Sequence, residues 1–181
     1  MLKDAYDKIL WLLLAATLTS LVFVLLEQGS GSTAGKHPVA ADKALEREMA
    51  YRARVELLQK LYSPVESLRQ TGDSQAALFK LDELIRRYPT EAHGHILKGE
   101  ILHGMGALDE AVACYVEGVR LDGDYVDGKS PLSRRSDIQK VADEGLRVIG
   151  SRARANPENR SLAAALKNVN YLRSRLAGGC E

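Results

Sequence analysis

The chain has 181 residues, enough for one domain with a substantial core and an appended segment. Its 25 basic and 24 acidic residues nearly cancel, which gives no global sign of nucleic-acid binding. The two cysteines match no haem-attachment, redox or zinc-ligand spacing. We therefore expect neither a nucleic-acid partner nor a cofactor.

An uncharged apolar run of 18 residues, from Ile9 to Leu26, follows a short tail of residues 1–8. As a helix it would be about 27 Å long, close to the thickness of the bilayer hydrocarbon. A cleaved signal peptide is the alternative, but its apolar region is normally about 7–15 residues long. We expect residues 9–26 to be a single transmembrane helix in a signal-anchor layout, with residues 1–8 in the cytoplasm and the rest outside it.

Residues 27–42, EQGSGSTAGKHPVAAD, are rich in Gly, Ser and Ala and have no apolar period. This composition predicts a flexible linker. From Asp42 to Gln70 apolar residues recur at helical spacing, and the stripe runs through Pro64. It predicts a helix whose first part caps the segments that follow.

Two segments, 58–91 and 92–125, match when the sequence is shifted by 34 residues. Identical pairs include Leu68 and Leu102, Gly72 and Gly106, Ala77 and Ala111, Glu83 and Glu117, and Arg86 and Arg120. Periods of this length mark stacked repeats of secondary structure. We expect each copy to be two helices joined by a turn at its glycine, since glycine takes the left-handed conformation that ends a helix.

This arrangement resembles the tetratricopeptide repeat (TPR), a helix-turn-helix of 34 residues. Small residues stand where paired helices of the family approach closely, at Gly99, Ala111 and Gly118 in the second copy. Gly118 is then expected to make room for the next helix. The first copy has the larger Val65 and Leu84 at two of these positions. The resemblance implies an all-α fold: a short TPR-like α-solenoid of helix-turn-helix pairs with a capping helix, over residues 43–125, preceded by a single transmembrane helix.

Residues 126–181 predict a loop followed by a degenerate third helix pair that closes the solenoid. Ser136 and Gln139 have the spacing of a capping box, which favours a helix start there. Asn156-Pro157 has the residue types that open a second helix. This segment carries 11 basic and 6 acidic residues. Contact with anionic lipid is one interpretation of that excess, and solvated helix faces are the other.

In the TPR family, four positions of each first helix face a concave groove that holds peptides. By the resemblance, the partner-binding groove is lined here by Gln59, Tyr62, Glu66, Arg69, His93, Ile96, Glu100 and His103. The set lacks the Lys-and-Asn arrangement by which some members clamp a C-terminal carboxylate. Spacing of the histidines favours no metal site, and no nucleophile elbow or phosphate-cradling loop occurs. We therefore expect no catalytic residues.

The resemblance implies a membrane-anchored scaffold or adaptor that binds a protein partner, as an assembly factor or accessory component of a membrane complex. The layout is similar to that of bacterial inner-membrane proteins of secretion-translocon quality control or cytochrome c maturation, which implies a single-pass inner-membrane protein with a periplasmic domain. A chaperone-like role in those processes is one alternative. A permanent structural subunit of a larger membrane complex is another.

Overall fold

The computed structural model describes residues 38–178, which form six α-helices, one short 3-10 helix and no strand. The helices are α1 (Pro38–Gln70), α2 (Ser74–Arg87), α3 (Ala92–Gly104), α4 (Leu108–Leu121), α5 (Arg135–Ala155) and α6 (Arg160–Leu176), with the 3-10 turn at Gly123–Tyr125. The predicted all-α class is confirmed for this part of the chain. The chain divides into two units, Met1–Ala53 and Arg54–Glu181.

The predicted anchor at 9–26 and the linker residues 27–37 lie outside the described residues. None of the helices between residues 38 and 178 has the length and apolar character needed to cross a bilayer. Helix α1 begins at Pro38, so the last five residues of the predicted linker, 38–42, are helical. In the first unit, the exposed Arg52 donates to Glu48 one turn earlier, at 3.0 Å.

Pro64 lies inside α1 without ending it. Proline has no N–H, so the carbonyl of Lys60, four residues earlier, loses its usual helical donor. The hydroxyl of Ser63 donates to that carbonyl at 3.0 Å. This bond satisfies the freed acceptor, and the helix continues to Gln70 as the sequence predicts.

Two glycine turns end α1 and α3. Gly72 and Gly106 both have φ of +81°, the left-handed region that favours glycine. The residue after each glycine donates its amide back to the last turn of the helix: Asp73 to Leu68 at 3.0 Å, and Ala107 to Leu102 at 2.9 Å. Both predicted turns are therefore confirmed, with the same backbone hydrogen bonds in each copy.

Helices α3 and α4 approach closely because each places a glycine against a large side chain of the other. A Cβ added to Gly99 would lie 2.9 Å from the Tyr115 ring, and one added to Gly118 would lie 2.5 Å from Ile96 Cδ1. The expected need for small residues at 99 and 118 is thus confirmed. Gly118 makes room for the first helix of its own pair, however, and not for the next helix as predicted.

The first helix of each following pair packs against the pair before it. Helix α3 lies against α1 and α2 at Gly94, where an added Cβ would come 3.0 Å from Tyr62 Oη and 2.9 Å from Ile85 Cγ1. Leu81 and Leu84 of α2 are also buried. Burial of such apolar surface is the main force that holds helices together.

Helix α5 repeats this arrangement on α3 and α4. A Cβ on Gly145 would lie 3.6 Å from Val112 of α4 and 2.7 Å from Val169 of α6. The neighbouring Glu144 bonds His103 of α3 at 2.8 Å. The helices of residues 135–176 thus continue the packing pattern of the two matching segments.

The predicted start of α5 is wrong in its details. The helix begins at Arg135, and its N-cap, Arg134, makes no side-chain capping bond. Ser136 lies inside the first turn, so it does not form a capping box with Gln139. The backbone instead enters the helix from a packed segment, in which the amide of Arg134 donates to the carbonyl of Tyr125 at 2.8 Å.

The predicted start of α6 is also displaced. Asn156 follows the last residue of α5, and α6 begins three residues beyond Pro157, at Arg160. The N-cap is Asn159, whose side-chain oxygen accepts the amides of Ser161 and Leu162. Asparagine is a favoured N-cap residue, and the side-chain bonds show that Asn159 and not Asn156 opens the helix.

We expect Gly118→Val to lower the free energy of unfolding by about 1–3 kcal/mol, because the new side chain overlaps Ile96 in a closely packed core. Urea unfolding followed by far-UV circular dichroism measures the change. Gly104→Ala is the matched control: it lies at the end of α3, and an added Cβ meets nothing within 4 Å. Wild-type stability in Gly118→Val would contradict the helix packing described above.

Candidate functional site

A cleft of about 470 Å³ lies between the second half of α1 and the segment 126–134. We call it the α1 cleft. Its lining residues are Val55, Leu58, Gln59, Tyr62, Ser63, Glu66, Ser67, Gln70, His93, Pro131, Leu132 and Arg134. Four of the eight predicted groove residues are among them: Gln59, Tyr62, Glu66 and His93.

The α1 side of the cleft presents neutral hydrogen-bonding groups along one helix face. Gln59, Ser63, Ser67 and Gln70 are spaced by four, four and three residues, which places them in a row, and all four are exposed. Beside them, Leu58 is buried and forms part of the apolar floor. The hydroxyls of Ser63 and Ser67 donate to carbonyls of α1, so their oxygens serve as acceptors. Such acceptors, together with amide side chains above an apolar floor, suit the main chain and small side chains of a peptide.

The opposite wall is the segment 126–134, which is packed against the helices. Leu132 is only 6% exposed and lines the cleft. Arg135 donates to the carbonyl of Val126 at 2.8 Å and also bonds the carbonyl of Leu176 at the end of α6. The segment is therefore a fixed wall of the cleft with its own side-chain anchors.

A charged cluster joins this wall to the helices. Glu100 of α3 accepts from Arg69 of α1 at 2.7 Å and from Arg134 at 3.0 Å. Its side chain is only 15% exposed, so the bonds are partly shielded from water. Arg69 also contacts Glu66, at 3.2 Å. The predicted groove residues Arg69 and Glu100 thus bond each other and hold the cleft together.

His93 lies at the inner end of the cleft, between two tyrosines. Its Nδ1 is 2.8 Å from the hydroxyl of Tyr125, and its ring meets the ring of Tyr62 edge-on with centroids 4.9 Å apart. Burial, together with the nearby charges of Arg134 and Arg54, lowers the pKa of His93 to about 4. The imidazole is therefore neutral near pH 7. Burial also raises the pKa of Tyr62 to about 12.

Three of the predicted groove residues present no accessible side chain in the α1 cleft. Ile96 is completely buried against Gly118, so it belongs to the core and not to an open groove. His103 pairs with Glu144 and lines a second cleft of about 340 Å³ beside α5. Tyr62 lines the α1 cleft but is only 2% exposed, and it contributes floor area more than an accessible group.

Several residues that line the cleft were not predicted. Ser63, Ser67 and Gln70 share the helix face of Gln59, so a wider reading of the helical period would have found them. Pro131, Leu132 and Arg134 come from a segment without periodicity, and no local signal indicates that it folds against α1. The cleft therefore depends on a tertiary contact that helical spacing does not encode.

The α1 cleft has the chemistry of a binding surface, with amides, hydroxyls and an apolar floor. Within the described part of the chain, no three His, Cys, Asp or Glu side chains are placed to hold a metal ion. No protein-family model matches the chain, and no curated protein matches it.

The lowered pKa of His93 predicts that stability depends on pH. In the unfolded chain the pKa returns to about 6.5, so the unfolded state binds a proton more readily than the folded state. The contribution of the neutral His93 to the free energy of unfolding is fully present above pH 6.5. It is lost as the pH falls from there to about 4. The loss amounts to roughly 3 kcal/mol. Urea midpoints measured across this range should fall with pH, and should fall less in His93→Gln.

His95→Gln is the control for this experiment, because burial also lowers the pKa of His95 but less strongly. It should flatten the pH dependence less than His93→Gln does. Equal slopes for the wild type and His93→Gln would contradict a neutral, buried imidazole at this position.

Glu100→Ala should open the wall of the cleft, because Arg69 and Arg134 would lose their shared acceptor. We expect a loss of about 1–3 kcal/mol in the free energy of unfolding. The amide of Arg134, which donates to Tyr125, should also exchange its hydrogen faster. Glu117→Ala, which removes an exposed pair with Arg120, is the control and should change neither measurement.

Proposed function

We propose that this protein is a membrane-anchored TPR-like scaffold that binds a protein partner in the α1 cleft. The observation that carries the proposal is the cleft itself, in which an exposed row of amides and hydroxyls on α1 faces a fixed wall across an apolar floor. Such a surface suits an extended peptide segment, bound through main-chain hydrogen bonds and small apolar side chains.

The TPR-like architecture is supported by the agreement between period and structure. The turns at Gly72 and Gly106 are one 34-residue period apart and share the same φ and backbone bonds. Helices α3 and α5 each pack against the pair before them, at Gly94 and Gly145. Nearest-neighbour packing of helix pairs is the property that defines a solenoid.

The anchor proposed at residues 9–26 would hold this scaffold at a membrane, with the helical domain on the periplasmic side of a bacterial inner membrane. We infer an assembly factor or accessory component, because a cleft whose α1 side is exposed and carries neutral amides and hydroxyls suits reversible binding. A permanent subunit would instead bury such a surface in one fixed neighbour.

Site-specific photo-crosslinking in membranes tests the proposal. A benzoylphenylalanine at Gln59 should form adducts with a partner protein, because this exposed residue lines the cleft. The same group at Glu83, exposed on α2, is the control and should form none. Ser63→Arg, which places a long cation in the cleft, should abolish the adduct from Gln59.

The pattern of adducts separates the two roles. Adducts whose masses change with growth conditions favour an adaptor, and one adduct of constant yield favours a permanent subunit. No adduct from Gln59, or equal adducts from Gln59 and Glu83, would contradict binding in the cleft.

A further inference from the structure

A second concave surface lies at the other end of the helix array, between α5 and α6. We call it the α5–α6 groove. Its volume is about 500 Å³, and its lining residues are Ala153, Arg154, Pro157, Ala163, Leu166, Lys167 and Asn170. Ala163 is exposed and Leu166 half-buried, so the groove is open among the described residues.

The groove lies on the side of α5 and α6 turned away from α3 and α4. On α5, Glu144 contacts α3, and Ala153, nine residues later, lies about 180° around the helix. On α6, Arg120 of α4 stacks over Tyr171 at 5.2 Å, and Leu166 lies roughly 140° around from that residue. The pair α5–α6 therefore has one packed side and one open side.

The molecule itself shows what fills a groove of this kind. The first turn of α3 lies between α1 and α2, where Gly94 meets both Tyr62 and Ile85. Helix α5 lies against α3 and α4 in the same way, through Glu144 and Gly145. The α5–α6 groove is the equivalent surface one pair further along, so its shape suits an α-helix.

The charges around the groove define the chemistry of that helix. Residues 145–178 contain seven basic residues and one acidic residue, Glu158. Arg154 and Lys167 line the groove directly. Arg152 pairs with Asp109 of α4, so it is engaged on the packed side. An occupant must therefore carry acidic side chains beside its apolar face.

We propose that the α5–α6 groove binds an amphipathic, acidic α-helix of another protein. This site is separate from the α1 cleft and does not depend on the function proposed for it. An anionic bilayer would also attract the basic rim. Membrane insertion needs large apolar side chains that protrude, whereas the apolar lining here includes small residues such as Ala153 and Ala163.

The probe is a fluorescein-labelled synthetic helix of about 18 residues, with leucines along one face and glutamates elsewhere. Added to the purified full chain in detergent micelles, it should give a saturable rise in fluorescence anisotropy that weakens with added salt. A matched peptide with lysine in place of every glutamate should have an affinity lower by about tenfold or more.

Variants assign the binding to the groove. The double variant Arg154→Glu with Lys167→Glu should lower the affinity for the acidic peptide by about tenfold or more. Lys60→Glu combined with Lys129→Glu makes the same change in net charge at exposed positions outside the groove, and should leave the affinity unchanged. Ala163→Asp, at an exposed groove position, should also weaken binding while the far-UV circular dichroism stays that of the wild type.

Three outcomes would overturn the proposal. The first is equal binding of the glutamate and lysine peptides, and the second is equal loss in the groove variant and its charge-matched control. The third is binding of phosphatidylglycerol vesicles that depends on Arg154 and Lys167 when the acidic peptide does not bind. That result would assign the groove to a lipid surface.

Discussion

The close approach of α3 to α4 is the constraint on which the rest of the described structure depends. Ile96 occupies the space that a side chain at Gly118 would need, and Tyr115 occupies the space beside Gly99. These two contacts fix the distance between the helices from both sides. Because packed interiors tolerate little change in volume, they also fix the positions of Glu100 and His93, which lie on the same helix.

Those two polar residues hold the outer wall of the cleft against α3. Glu100 bonds Arg134, and His93 bonds Tyr125, so α3 holds both ends of the segment that forms the outer wall. A segment without regular structure has many unfolded conformations, and ordering it costs free energy. Buried or partly buried hydrogen bonds at its two ends offset that cost, and the wall stays in place without a helix or strand of its own.

The 34-residue shift predicted the two turns, and the TPR resemblance implied the small residues and part of the α1 face that lines the cleft. They failed where a side chain's role depends on a distant neighbour. Ile96 has the spacing of a groove residue, but its side chain packs in the core, in the space beside Gly118. Asn156 and Asn159 are equally good caps by composition, and only the fold selects Asn159. Arg134 and Leu132 carry no local signal, because their partners lie about 30 or more residues away along the chain.

The two open surfaces differ in chemistry because they arise from different parts of the same packing scheme. The α1 cleft forms on a first-helix face, where exposed amides and hydroxyls such as Gln59 and Ser67 meet a wall supplied later in the chain. The α5–α6 groove forms where the array of helix pairs presents an unpaired side, with Arg154 and Lys167 at its edge. The exposed amides and hydroxyls of the α1 cleft would select a partner by shape and hydrogen bonding, whereas the basic groove would also attract its partner over a Debye length. The two partner segments proposed for these surfaces would therefore not compete with each other.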